Sequence, residues 1–156
     1  MTFSDPFTTV CKAGIADSTI GASAASSGSN CSSSCSSSGD SGTWVAAGGS
    51  DGARAIAVKG TGDDTSYWRS EPLPFAPGTV YRVEFDVCSP DGSGGTPISG
   101  PVFCNRDLGT VGPEWTPVSS LFVTPRRIDP DEAWLRFGQW HVSGSVMFDN
   151  VRLTEV

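Results

Sequence analysis

The feature that most constrains the fold is a strict alternation of apolar and polar side chains from Tyr81 to Val87, in the segment that ends at Cys88. Successive side chains of a β-strand point to opposite faces of a sheet, so this run predicts a strand with one buried and one polar face. Turn-forming residues flank it, with Pro77 and Gly78 before it and the segment 89–92 after it. Because antiparallel sheets commonly bury one face and expose the other, the run indicates an antiparallel sheet.

Further segments with strand character follow, each bounded by Gly, Pro, Asp or Asn, at 53–59, 67–70, 102–105, 117–124, 133–140 and 145–154. No window keeps the apolar spacing of an amphipathic helix. Short strands at this spacing predict an all-β domain, a β-sandwich with jelly-roll topology. Alternation assigns the inward positions to Ile56, Val58, Val83, Phe85, Leu121, Val123, Leu135, Phe137, Val146, Phe148, Val151 and Leu153.

The length of 156 residues suits one domain, so we expect a single unit over residues 1–156. Within it, the segment 23–41 is mostly serine with Ala, Gly and Cys. Such a composition buries too little apolar area to offset the entropy lost on ordering. It is therefore predicted to be a loop or a linker.

Acidic residues outnumber basic ones by 17 to 10, which gives a formal net charge of −7. Nucleic-acid binding depends on Lys and Arg contacts to phosphate, so this balance argues against a nucleic-acid partner, and also against a basic membrane-binding patch. No apolar run approaches the roughly 20 residues that a membrane helix needs. The first nine residues lack the features of a signal peptide.

The 5 cysteines have no metal-site spacing, and in a chain this poor in Lys and rich in Ser, Gly and Thr they fit an oxidising compartment. We therefore expect a secreted, extracellular protein. Cys88 ends one predicted strand and Cys104 lies in another across the loop 90–101, which suggests a disulfide between them. The alternative is two separate buried thiols. A bridge from Cys31 or Cys35 to Cys11 is one of several possible pairings.

A family resemblance rests on three stretches, at 51–58, 77–87 and 144–153, the last reading Gly-Ser-Val-Met-Phe-Asp-Asn-Val-Arg-Leu. From about Trp44 to Val156, their order and spacing resemble the calcium-containing jelly-roll carbohydrate-binding modules that accompany xylanases and glucanases. The opening departs from that family, because only the segment 2–7 stands where an Asn-Gly-Phe-Glu-like strand is usual. The resemblance implies a monomeric, non-catalytic module that binds polysaccharide and targets a catalytic domain of the same polypeptide to it.

The resemblance also implies a structural calcium. In the family, the Asp of the final motif binds calcium together with an acidic residue near the first strand and groups at an Asp-Gly turn. The corresponding residues here are Asp149, Asp5 and Asp51. Calcium takes six to eight oxygen ligands and accepts such a mixed set. The alternative is that Asp149 only stabilises a bend.

Such modules bind glycans on the outward face of a sheet or in loops at its edge, so outward-pointing residues are the candidates. Aromatic rings stack on the C–H face of a pyranose, and carboxylates and Arg hydrogen-bond its hydroxyls. The candidate carbohydrate-binding residues are Trp134, Trp140, Arg136, Arg82, Glu84, Asp86, Trp68, Tyr67 and Gln139. The alternatives are tryptophans packed at the rim of the sandwich and a solvated ladder of charges.

Two other functions remain open. Glu84 and Asp86, two apart on a strand, place their carboxylates about 6 to 7 Å apart on one face, a separation that glycosidases use. A small jelly-roll glycoside hydrolase or polysaccharide lyase is therefore an alternative, and a structural or adhesive β-sandwich is another. A trypsin-like protease is excluded, because the only histidine, His141, follows the Gly-Asp-Ser-Gly motif at 39–42.

Overall fold

In the computed structural model, the described residues are the strand backbones at 7–13, 16–20, 33–34 and 41–45, together with 47–52 and 54–156. Asp5, most of the predicted serine-rich segment 23–41, and the side chains of Cys11, Cys31 and Cys35 lie outside them. None of the described residues forms a helix long and apolar enough to cross a membrane.

The described residues form strands and two short 3-10 turns, Val102–Cys104 and Pro130–Glu132. The strands are β1 (Phe7–Ala13), β2 (Ala16–Ile20), β3 (Ser33–Ser34), β4 (Ser41–Val45), β5 (Ala55–Thr61), β6 (Thr65–Ser70), β7 (Val80–Cys88), β8 (Thr96–Pro101), β9 (Arg106–Asp107), β10 (Thr116–Val123), β11 (Leu135–Trp140) and β12 (Ser143–Glu155).

These strands build two six-stranded sheets. The front sheet has the order β2-β1-β6-β11-β8-β9, and the back sheet has the order β10-β7-β12-β5-β4-β3. Neighbouring strands pair antiparallel throughout, as in the β6–β11 and β7–β12 pairs. The all-β sandwich of jelly-roll type predicted from the alternation is confirmed.

Large aromatic side chains from both sheets fill the space between them. Phe137 of β11 packs edge-on against Phe148 of β12, and Trp68 of β6 is buried in the same core. Each fully buried side chain of this size contributes roughly 1.5 to 3 kcal/mol through the hydrophobic effect. The core therefore fixes which face of β6, β7, β11 and β12 points outward.

The prediction that Leu121 and Val123 are core residues is wrong. Leu121 is 53% exposed and Val123 60% exposed, whereas Phe122 between them is buried and stacks on Tyr81 of β7. Three consecutive apolar residues are compatible with either parity, and the largest ring takes the inward position. The pairing of Phe122 with Tyr81 sets the register of β10 accordingly.

The predicted strand at 102–105 is instead the 3-10 turn, and the true strand is β8. Prolines at 97 and 101 disguise β8, because proline is disfavoured within sheets. Since Cys104 belongs to this turn beside the front sheet, whereas Cys88 ends β7 in the back sheet, the predicted disulfide does not form. Both cysteines are free, with Cys88 buried and Cys104 exposed.

Candidate functional site

The outer surface of the front sheet carries the candidate site, which we call the front face. In the β6–β11 pair, Phe137 lies opposite Trp68, and both point inward. The alternate positions therefore point outward, among them Arg69 opposite Arg136. The structure thus places Arg136 on an outer surface, as the alternation predicted.

Tyr67 and Trp134 are largely buried against each other in a small aromatic cluster on the front face, separate from the main core. Their rings are stacked, with centroids 5.9 Å apart and planes inclined by 13°. Trp134 is anchored by its indole Nε1, which donates a hydrogen bond to the carbonyl oxygen of Asp131 at 2.7 Å. Gly138 lies opposite Tyr67, and a Cβ there would collide with the Tyr67 side chain. The glycine therefore lets Tyr67 lie close to β11.

Each ring of this cluster has a guanidinium beside it. Arg69 Cζ lies 5.3 Å from the centroid of the Trp134 ring, and Arg136 Cζ lies 5.8 Å from that of Tyr67. Both distances are within the range of cation–π attraction. Arg136 also donates from Nε to the Oδ1 of Asn105 at 3.0 Å. Burial lowers the pKa of the Arg136 guanidinium, and the charge of Tyr67 opposes this effect.

Among the Phe, Tyr and Trp side chains that the structure describes, the exposed one is Trp140, the last residue of β11, which is 49% exposed. Its ring stacks on that of His141, with centroids 4.5 Å apart. His141 has a φ of 56°, a left-handed conformation that is uncommon outside glycine, and it turns the chain away from the front sheet. Trp140 and Arg136 are four residues apart on one strand face, a span of about 13 Å.

Four of the predicted sugar contacts are buried, which corrects the prediction: Tyr67 and Trp134 lie in the small aromatic cluster, and Trp68 and Gln139 lie in the core. Trp68 is buried and donates from Nε1 to the carbonyl oxygen of Ala57 at 3.0 Å. Gln139 is also buried; its Nε2 donates to Ser66 Oγ at 3.0 Å, and its Oε1 accepts from the backbone N–H of Val142 at 2.8 Å. Gln139 has the same parity as Phe137, so the alternation itself points it inward.

Arg82, Glu84 and Asp86 do point outward, but from β7, so they lie on the outer surface of the back sheet. The structure therefore does not bring them together with Trp140 and Arg136. Alternation along a strand tells which residues face outward and does not tell which sheet the strand joins. The predicted set of sugar contacts is thus divided between opposite sides of the sandwich.

On the back sheet, Asp86 lies opposite Asp149 of β12. Ser50 bridges the two carboxylates: its N–H donates to Asp149 Oδ2 at 2.8 Å, and its Oγ donates to Asp86 Oδ2 at 2.8 Å. Asn150 donates from Nδ2 to Asp86 Oδ2 at 2.8 Å and from its backbone N–H to Asp149 Oδ1 at 2.7 Å. Like charges placed directly opposite each other are destabilising, so these donors offset a repulsion.

The predicted calcium ligands are only partly in position to act together. Asp149 lies in this carboxylate cluster, Asp51 is exposed in the turn next to Ser50, and Asp5 is not among the described residues. Within the described part of the chain, no group of three or more acidic, His or Cys side chains is placed to hold a metal. The carboxylate and hydroxyl oxygens of Asp86, Asp149 and Ser50 are nevertheless hard ligands of the kind that calcium prefers.

A shallow pocket of about 270 Å³ opens beside this cluster on the back sheet. Glu84, Asp86, Asn150, Arg152 and Ser119 line it, together with Pro117 and Val118. The register of β12 shifts between Asp149 and Arg152. Asn150, with a φ of 53°, belongs to that irregularity. The carboxylate pair of the hydrolase alternative, Glu84 and Asp86, therefore shares a pocket.

Comparison of the sequence with protein families gives no matching family model, and no curated protein matches it. Solved structures do match. One holds the N-terminal modules of endo-1,4-β-D-xylanase 10B from Clostridium thermocellum with xylohexaose. It has 18% identity and a TM-score of 0.56, and the match covers 76% of this chain and 25% of that chain. The chain thus spans a quarter of that xylanase structure.

Two further matches cover most of both chains. The C-terminal family 22 carbohydrate-binding module of the same xylanase has 12% identity and a TM-score of 0.57, over 76% of this chain and 82% of that one. A Stig cyclase from Fischerella sp. TAU, bound to an indole compound, has 14% identity and a TM-score of 0.56, over 79% of this chain and 76% of that one. At such identities the likeness establishes the fold, which carbohydrate-binding modules share with cyclases.

Proposed function

We propose that the chain is a non-catalytic carbohydrate-binding module whose front face binds polysaccharide and holds an appended catalytic domain near its substrate. The observation that carries this proposal is Trp140, a large aromatic ring that is half exposed on the same strand face as Arg136. An exposed ring beside hydrogen-bond donors suits a sugar, which offers C–H bonds on one face and hydroxyls at its edge.

The shape of the front face supports binding of a chain rather than of one isolated ring. Trp140 and Arg136 are separated by about 13 Å along β11, which exceeds the width of a single pyranose. Between them, Gly138 contributes no side chain, and Thr65 and Thr96 flank Trp140 on the neighbouring strands. We infer that linked sugars lie along β11, with one ring stacked on Trp140.

The test is affinity gel electrophoresis against xylans, β-glucans, mannans and algal polysaccharides, with Trp140→Ala compared with the wild type. Leu121→Ala is the matched control, because Leu121 is similarly exposed on the back sheet. We expect a polysaccharide to retard the wild type and the control, and Trp140→Ala to lose most of that retardation while melting at a similar temperature. Equal migration of Trp140→Ala and the wild type on a retarding gel would remove the front face from consideration.

A reducing-sugar assay on the same polysaccharides separates binding from catalysis. We expect no release of reducing ends by the wild type. Release that Glu84→Gln abolishes would instead establish the hydrolase alternative, in which the back-sheet pocket is the active site. If no polysaccharide on the panel retards the chain, the adhesive alternative is favoured.

We also propose that the carboxylates of Asp86 and Asp149 hold a structural calcium. The support is their direct opposition across the β7–β12 pair, together with the hydroxyl oxygen of Ser50 between them. Calcium would supply positive charge where two carboxylates repel each other. We expect excess EDTA to lower the melting temperature of the wild type and to leave that of Asp149→Asn unchanged. An identical melting curve of the wild type with and without EDTA would contradict this proposal.

Secretion, a monomeric state and attachment to a larger enzyme belong to the same proposal. Their support is the composition and the resemblance described above.

A further inference from the structure

Two arginines lie opposite each other at the centre of the front face. Arg69 of β6 pairs directly with Arg136 of β11, and both side chains are half-buried. Directly opposite residues of an antiparallel pair have Cβ atoms about 4.5 to 5.5 Å apart, and like charges in this position destabilise the sheet. Among the residues that the structure describes, no carboxylate forms an ion pair with either guanidinium.

Burial increases the cost of this arrangement, because a charge that is partly removed from water needs a partner. The lowered pKa of Arg136 reflects that desolvation. The aromatic rings of Tyr67 and Trp134 compensate in part through the two cation–π contacts. An aromatic face is only a weak hydrogen-bond acceptor. Among the described residues, the one hydrogen bond from these guanidinium groups is that of Arg136 Nε to Asn105.

The surrounding side chains orient Arg136 without neutralising it. Asn105 accepts from Nε at 3.0 Å, which leaves the two terminal nitrogens of Arg136 directed elsewhere. Two acidic residues lie in this region: Glu71, just beyond β6 and two residues after Arg69, is exposed, and Asp107 of β9 is exposed and lies opposite Ile98. Asp107 is two strands from β11 in the order β11-β8-β9. Within the described part of the chain, the centre of the front face therefore carries two guanidinium charges that no carboxylate pairs with.

We propose that the front face binds acidic polysaccharide, with an anionic group of the glycan accepting hydrogen bonds from both Arg69 and Arg136. This inference rests on the proposed carbohydrate-binding function and names its substrate class. The planar fork of guanidinium donors matches the oxygens of a carboxylate or a sulfate, and charge-assisted hydrogen bonds are about twice as strong as neutral ones. The anion would remove the repulsion between the arginines when it binds.

The formal net charge of −7 does not oppose this inference strongly. Exposed charges are screened over about 8 Å at physiological ionic strength. The carboxylates of Glu84, Asp86 and Asp149 belong to the opposite sheet. An anionic group on the front face therefore interacts mainly with the arginine pair beside it.

The experiment measures dissociation constants for the wild type, Arg69→Gln and Arg136→Gln on three kinds of glycan. Polygalacturonate and alginate carry carboxylates, carrageenan carries sulfates, and unsubstituted β-glucan is the neutral control. Arg82→Gln is the matched variant, because Arg82 is an exposed arginine on the back sheet. Hydrogen bonds to charged groups contribute about 1.5 to 3 kcal/mol, so each front-face substitution should weaken binding to an acidic glycan by roughly 10-fold to 150-fold.

We expect the wild type to bind a uronate or a sulfated glycan more tightly than β-glucan, more weakly as salt increases, and as tightly as Arg82→Gln. The substitutions at Arg69 and Arg136 should not lower the melting temperature, because each removes a like-charge contact. If either fails to fold, Arg136→Lys, which keeps the charge without the fork, should still lose several-fold in affinity. Affinity for acidic glycans that stays unchanged in the folded variants, or tight binding of β-glucan alone, would overturn the inference.

Failure of this inference is distinguishable from failure of the proposed function. Binding of β-glucan that depends on Trp140 and not on the arginines would keep the carbohydrate-binding function and reject the acidic substrate class. Absence of binding to every glycan would reject both.

Discussion

Phe137 of the front sheet lies edge-on against Phe85 of the back sheet, with ring centroids 5.2 Å apart and planes inclined by 76°. Both rings also contact Phe148, so three phenylalanines join the two sheets at the centre of the core. Edge-to-face contacts of this kind are worth about 0.5 to 1.5 kcal/mol beyond the area that they bury. This junction holds the front face at a fixed position over the back sheet.

Phe137→Ala should remove that junction. Truncation of a buried phenylalanine leaves a cavity and costs about 3 to 5 kcal/mol of unfolding free energy. Urea unfolding of the variant and the wild type, followed by tryptophan fluorescence, measures the difference. Leu121→Ala is the control, because an exposed side chain should change the free energy of unfolding by less than about 0.5 kcal/mol. Similar losses for the two variants would contradict the packing described here.

Gly138→Ala should disturb the aromatic cluster on the front face. Its Cβ would collide with Tyr67 and with the carbonyl oxygen of Ser66, so the two strands must move apart. Overpacking of this kind costs about 1 to 3 kcal/mol. Gly112→Ala is the control, since no atom lies within 4 Å of the position that its Cβ would take. Thermal melting should show a lower melting temperature for Gly138→Ala only.

Gln139→Leu should destabilise the fold although it introduces an apolar side chain into a buried position. The amide of Gln139 holds the backbone N–H of Val142 and the hydroxyl of Ser66, and leucine would leave both without that partner. A buried polar group that loses its hydrogen bond costs about 1 to 3 kcal/mol. Chemical denaturation measures the loss. The double variant Gln139→Leu with Ser66→Ala should recover part of it, and no recovery would argue against the Ser66 contact.

Cys88 and Cys104 should react with thiol reagents at very different rates. Burial, and secondarily the negative charge of Glu114, raise the pKa of Cys88 to about 11. At pH 8 roughly one in a thousand Cys88 side chains is then a thiolate, which is the reactive form. In a variant with Cys11, Cys31 and Cys35 replaced by serine, a chromogenic disulfide should modify Cys104 first.

The same shift predicts how stability depends on pH. The folded state favours the neutral thiol of Cys88. The contribution of this thiol to the free energy of unfolding is therefore fully present below the ordinary thiol pKa of 9.0, and it is lost as the pH rises through the folded-state pKa of about 11. Cys88→Ala should reduce the decline in melting temperature between these pH values, whereas Cys104→Ala should not. An equal decline in melting temperature with rising pH in the two variants would contradict the role of the buried Cys88 thiol.

The sequence predicted the sandwich and the direction of its clearest strands, because alternation depends only on local geometry. Arg136 and Trp140 point outward for the same reason that Phe137 points inward. Alternation could not place β7 and β11 in different sheets, since sheet membership depends on contacts far apart in the chain. That is why Arg82, Glu84 and Asp86 were expected beside Trp140.

The carboxylate cluster of Asp86 and Asp149 on the back sheet shows a second limit of prediction from the sequence. Asp86 and Asp149 meet because β7 and β12 pair in one particular register, and the irregularity at Asn150 changes that register within the strand. A shift of one residue would separate the two carboxylates. The alternation of each strand predicts that Asp86 points outward and allows Asp149 to lie in a bend. It does not predict that the two carboxylates lie directly opposite each other.

Trp140 ends β11 in the front sheet, and β12 begins in the back sheet at Ser143. The aromatic ring proposed to bind a polymer therefore lies where the chain crosses from one sheet to the other. At this crossing, the side chain of Gln139 accepts a hydrogen bond from the N–H of Val142, and the N–H of Gly62 donates to the Val142 carbonyl. A force applied to Trp140 by a bound polymer would therefore act on strands of both sheets, because β11 and β12 meet at this connection.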